Sequence, residues 1–431
     1  MGRHKEIDVL VKELILSDDV EAKQKVALEI VGAAKSKNIF LSSTKEFYQA
    51  RADERVKDFT VPVINLRGLT YDLARAIFRV AQKINAGAFI FGLSKTEINY
   101  TAQSPMEYMG VVLAAAVKEG FSGPVFLQAN HMQVKDRMFF IDPEKELNVV
   151  RQLIEDAVGA GFYNIDLDSS TLLDLNKLGP REQQKDNFEN TARLTQFVRE
   201  IQPEGVNVCL GAAIGEISGQ NTTLDELKAF MDGYLQGLPA GMGGLDKVNI
   251  CVGSPQGIVA LADGSLTQVR VDFDTLRESS RFVRGNYRLA GVVHEAGVNL
   301  PSGIFHKFVE AETLEIHFAA YLQNFIFDST MFPKDLKERM YAWVKRSCPD
   351  DRRESQTEDQ FIYRTRKKAF GHFKKEMVNL PGEVKDGIAR EIEAKIDFLF
   401  KQLKIGETKS VVGTYTRPVD VKLGSRRMAA V

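Results

Sequence analysis

The sequence has little cysteine, no dominant sign of charge and no long apolar run. Its three cysteines (Cys209, Cys251, Cys348) lie far apart without a CxxC pair, so no disulfide framework is expected. Fifty-seven Lys+Arg stand against 58 Asp+Glu, a formal net charge of -1. That balance removes the broad electrostatic reason to bind nucleic acid or a membrane surface. No run approaches the roughly 18 apolar residues of a membrane span. The opening residues, MGRHKEIDVLVKELILSDD, carry charges inside their apolar stretch, unlike a secretory signal. No GxGxxG follows the first strand-like run and no GxxxxGK[ST] occurs, which weakens a nucleotide-binding open sheet. The expectation is a cytoplasmic globular protein whose partners include neither nucleic acid nor membrane.

What is present is a repeating texture. Hydrophobic residues make up 44% of the 431, enough for a large core. Short apolar runs recur at Val61 to Leu66, Gly87 to Leu93, Gly123 to Ala129, Tyr163 to Leu167, Val206 to Leu210, Lys247 to Val252 and Leu289 to Val293. They lack strict alternation, as strands buried on both faces do. Helical patterns separate them, for example Tyr71 to Ile84 and Glu144 to Ala160. Strand–helix alternation over this length predicts a (β/α)8 barrel, with a doubly wound open sheet as the alternative. The predicted organisation is a peripheral helical segment at 1–58, the barrel at 59–332, a charged helical extension at 333–405 and a basic, flexible tail at 406–431.

In such a barrel, reactive groups sit where strands end and βα-loops begin. Asn65, Ser94, Asn130 with His131, Asp168, Ser254 with Gln256, and His294 each end or follow an apolar run. Cys209 ends another, and Glu216 lies just beyond it in the glycine-flanked GEISG. Two imidazoles with a carboxylate and an open position form a catalytic zinc arrangement. His131 and His294 are the candidate ligands, with Cys209 a further soft donor. Glu216, on a loop able to close, is the candidate proton carrier. His4, His306, His317 and His372 read as terminal, helical or loop residues.

Taken in order, these segments resemble the class II, metal-dependent ketose-bisphosphate aldolases, and most closely the large non-catalytic-type subunits of tagatose-bisphosphate aldolase. The likeness runs from about 60 to 330 through VPVIN, FIFGLS, PVFLQANH, AGFYNIDLDSS, VNVCLGAAIGEISG, VNICVGSPQG and AGVVHEAG. The resemblance implies a zinc ion, or another divalent metal, held by His131 and His294. It also implies Glu216 and Asn130 in catalysis, with Asn65, Ser94, Asp168, Gln256 and Gly297 contacting a sugar or sugar phosphate.

The departures are specific. The family's catalytic Asp is Asn130, an amide that cannot readily transfer a proton. The Glu near the metal is Cys209, the middle zinc histidine is Gln256, and Glu295 stands where a phosphate would be cradled. Glu-Ile-His-Phe from Glu315 replaces a phosphate-contacting Asn-x-Asp-Thr. The implied function is an aldolase-like lyase acting next to a ketone. The alternatives are a non-catalytic subunit stabilising a partner aldolase and a phosphosugar-binding barrel without turnover. The helical extensions suggest a homo-oligomer or a partner-subunit contact.

Overall fold

The computed structural model describes residues 6–215, 221–253, 271–295, 300–318, 321–354 and 356–419. Its strands are β1 Ile39–Leu41, β2 Val61–Asn65, β3 Ile90–Ser94, β4 Gly123–Gln133, β5 Asn164–Asp168, β6 Cys209–Ala213, β7 Lys247–Asn249, β8 Val292–Glu295 and β9 Glu315–Phe318. β2 to β9 pair in parallel in chain order. The ring then closes through β9 on β2, with Val61 opposite Glu315 and Ile64 opposite Phe318. The expected (β/α)8 barrel is present.

Helices return the chain from the end of one strand to the start of the next, which parallel pairing requires. The helix Pro105–Glu119 shows how the sequence marks them. Ser104 accepts from the Glu107 amide, Pro105 fills the first turn and Gly120, at φ 69°, ends the last. The N-terminal helices Ile7–Leu16 and Val20–Ser36 cover its outer side. Gly110 lets them approach, since a Cβ there would lie 2.6 Å from Leu14 Cδ2.

Two expectations about the ends change. The N-terminal segment is neither wholly helical nor peripheral, because β1 pairs with the start of β4 (Ile39 opposite Gly123). The helix Lys45–Ala52 that follows delivers Tyr48 to the barrel floor, where its hydroxyl donates to Glu315. The tail expected from 406 starts as ordered structure. Thr408 Oγ1 accepts from the Gly87 and Ala88 amides at 3.0 and 3.1 Å, and the helix Lys409–Tyr415 follows.

The extension is helical as expected. Its longest helix, Gly382–Gln402, lies along Thr70–Lys83, with Lys83 Nζ 3.1 Å from Asp397 Oδ1. One apolar cluster runs from Leu10 to Val412, so these segments share a core. Among the described residues, no helix is long and apolar enough to cross a membrane.

Candidate active site at the barrel mouth

Alternate residues of a barrel strand face the lumen. Four strands place polar pairs at that spacing: Gln128 and Asn130, Asp166 and Asp168, Lys247 and Asn249, Glu315 and His317. At the centre, Lys247 Nζ lies 2.8 Å from Gln128 Oε1, 3.0 Å from Asp166 Oδ1 and 2.6 Å from Glu315 Oε2. Gly211 makes the room, since a Cβ there would lie 2.4 Å from Asp166 Oδ1 and 2.8 Å from Lys247 Cε.

His317 links this centre to the mouth. Its Nε2 is 2.8 Å from Glu315 Oε2 and its Nδ1 is 2.7 Å from Glu295 Oε1. Burial disfavours charge on each of these groups, but their mutual attraction outweighs it in four of them. Burial lowers His317 and Glu295 with Glu315 raises it further, to about 9. Burial raises Glu315 and Lys247 with His317 brings it down to about 2. Glu295 is held well below the carboxylate range, the His317 and His131 charges overcoming its burial. Lys247 is held above the ordinary lysine value: burial lowers it, and Asp166 and Glu315 more than compensate. Asp166 is the exception, with burial keeping it raised.

The mouth is organised around His131. A bulge between Ala129 and Met132 interrupts β4, and His131 takes a left-handed φ of 47°. Such backbone costs a non-glycine residue about 1–3 kcal/mol and concentrates at functional sites. The result places Nδ1 3.3 Å from Asp168 Oδ2 and Nε2 3.1 Å from Glu295 Oε1. Asp168 accepts from Ser170 Oγ at 2.7 Å and Gln133 Nε2 at 2.8 Å. Burial pushes its carboxyl up, but His131, Ser170 and Gln133 bring it below the usual range. The cavity against His131, Asp168 and Asn249 measures about 10 Å³, room for about one water.

Across the lumen two amides meet, next to the buried Arg67–Glu97 ion pair. Asn130 Nδ2 donates to Asn65 Oδ1 at 2.9 Å, and Asn65 Nδ2 to Glu97 Oε2 at 2.6 Å. Ser94, opposite Asn130 in register, caps the helix Lys95–Thr101 through the Glu97 amide.

Asn65, Ser94, Asn130, His131 and Asp168 therefore share the mouth. His294 and Cys209 do not join them. His294 lies between the lumen-facing Val293 and Glu295, stacked on Phe308 with centroids 5.3 Å apart. Burial lowers its pKa to about 4, and neither ring nitrogen finds a partner among the described residues. Cys209 begins β6, opposite Asn164, at the floor end of the barrel, and burial pushes its thiol far up. Glu216, Gln256 and Gly297 lie outside the described residues. The expected metal set His131, His294 and Cys209 thus does not converge.

Asp166, Glu315 and His317 do form a group with metal-ligand spacing, their donor atoms all within 4.8 Å of one another. The sequence reading notes Glu295, Glu315 and His317 without bringing them into the site, and leaves Lys247 inside an apolar run. The available signal was the polar pair two residues apart inside a short buried strand.

No family model and no curated protein matches the chain. Solved structures do. A probable tagatose 6 phosphate kinase from Sinorhizobium meliloti is 12% identical with a TM-score of 0.56, covering 83% of this chain and 99% of its own. The fructuronate-tagaturonate epimerase of Cohnella laeviribosi, complexed with one glycerol, is 11% identical with a TM-score of 0.51, covering 97% and 91%. The fructose-bisphosphate aldolase of Campylobacter jejuni is 15% identical with a TM-score of 0.50, covering 86% and 96%. At these identities the likeness concerns the fold alone, a (β/α)8 barrel with helical additions.

Proposed function

We propose that the chain is an enzyme acting at the carbonyl end of a small sugar or sugar phosphate. It moves the proton on the adjoining carbon, as an aldolase-like lyase does when it makes or breaks the neighbouring carbon–carbon bond. The observation that carries this is His131, a partly exposed imidazole at a barrel mouth with a carboxylate at each ring nitrogen. Imidazole is suited to proton transfer near neutral pH. Asp168 and Glu295, one at each ring nitrogen, orient the ring and stabilise its protonated form, from which it donates a proton.

Asn130 orients the aldehyde oxygen, Asn65 and Ser94 hold the polar end, Glu216 shares in the proton transfer, and Gln256 and Gly297 contact the substrate. Glu295 is anionic in the lumen, so any substrate phosphate binds away from it. The implied zinc set does not converge, and no step is assigned to a metal.

A second reading, a non-catalytic subunit that stabilises a partner aldolase, is favoured by Asn130, an amide that cannot readily transfer a proton. Exchange of the α-proton of dihydroxyacetone phosphate and of dihydroxyacetone with solvent deuterium separates the two. The enzyme reading predicts exchange by the parent, slowed about 10²–10⁴-fold in His131→Asn, with an unchanged melting temperature. Absence of exchange on both donors sinks the first reading and leaves the second.

A further inference from the structure

We propose that Lys247 is a built-in counter-ion: its ammonium occupies the position that a divalent cation would take among Asp166, Glu315 and His317. Those three residues have the spacing to surround one ion. The space they enclose is filled. Lys247 is fully buried; its ammonium donates to Gln128 at 2.8 Å and Glu315 at 2.6 Å and pairs with Asp166 at 3.0 Å.

The imidazole of the group is committed as well. Its two nitrogens lie 2.8 Å from Glu315 and 2.7 Å from Glu295, so each already has a carboxylate beside it. A dication entering here would meet the ammonium at contact distance. Gly211 completes the device, because any side chain there would strike Asp166 or Lys247. The central charge of this barrel is therefore covalent and present in every copy of the chain, whatever the metal supply.

Mn2+ and Zn2+ titrations of the full chain, read by calorimetry and by thermal shift, test this without measuring turnover. Failure of the reaction proposed above therefore leaves it standing. Lys247→Ala vacates a position flanked by two buried carboxylates, and an entering cation restores what they lost. Its affinity for either ion should exceed the parent's by about 100-fold or more. Asp166→Asn added to Lys247→Ala should abolish the gain. Two results would overturn the proposal: a folded Lys247→Ala that binds neither ion better than the parent, or a tight parent site that Glu315→Gln removes. The parent titration decides the matter even where Lys247→Ala folds poorly.

Discussion

The two sides of the barrel lumen bury polar groups by different chemistry. Between β2 and β4, the neutral amide of Asn130 donates to that of Asn65, which donates in turn to Glu97, the partner of Arg67. From β5 round to β9, Asp166, Lys247, Glu295, Glu315 and His317 hold one another as ions. An amide pair keeps its bond at any pH, and losing it costs one hydrogen bond. An ionic network in low dielectric depends on every member, because a buried charge without its partner is costly. The charged side should therefore respond strongly to substitution and to pH, and the amide side mainly to shape.

The largest effect should come from Lys247→Met. It leaves Asp166 and Glu315 buried without their cation and should cost about 3–5 kcal/mol, measured by urea unfolding. Combining it with Glu315→Gln should bring stability back toward the parent, since the pair is coupled. Additive losses would show that the network is not the unit described here.

Acidity comes next. His317 is held near 9, above its ordinary 6.5, by Glu295 and Glu315 against its burial. The stability it adds is complete below pH 6.5 and disappears as pH rises through 9. His294, buried and held near 4, acts on the other flank, costing stability as pH falls from 6.5 toward 4. The melting temperature should therefore decline on both sides of about pH 6.5. His317→Gln should flatten the alkaline flank and leave the acidic one. An alkaline flank unaltered by His317→Gln would contradict the assignment.

The smallest effect belongs to the amide side. A Cβ at Gly92 would lie 2.1 Å from Asn65 Oδ1 and 2.5 Å from Asn130 Nδ2. Gly92→Ala should cost about 1–3 kcal/mol by overpacking, equally at pH 6.5 and pH 9. A strongly pH-dependent loss would show that the amides are tied to the charged side.

Much of the barrel is legible because its strands are apolar runs. The seven runs seen in the sequence all contain or adjoin a barrel strand, and β9 escapes because Glu315 and His317 interrupt its apolar character. The site is less legible, for two reasons of register. A strand's alternation is visible, but which parity faces the lumen is not, and one residue separates outward His294 from inward Glu295. The run Val206 to Leu210 ends near the residue at which β6 begins, so Cys209 marks the floor and not the mouth. Lys247 stands inside a run that reads as apolar, and nothing local announces its partners on β4, β5 and β9.

The position of Glu315 also bears on the order in which the chain can fold. Lys247, Tyr48 and His317 all depend on a carboxylate carried by β9, the strand that closes the ring on β2. Some 250 residues separate Val61 from Glu315 along the chain. Contacts so distant in sequence form late, after the entropy of a long loop has been overcome. A chain emerging from the ribosome through β8 already holds an ammonium facing Asp166 with half its counter-charge missing. Closure of the ring and neutralisation of its centre are then one event, and a partly wound barrel has no comfortable state in which to rest.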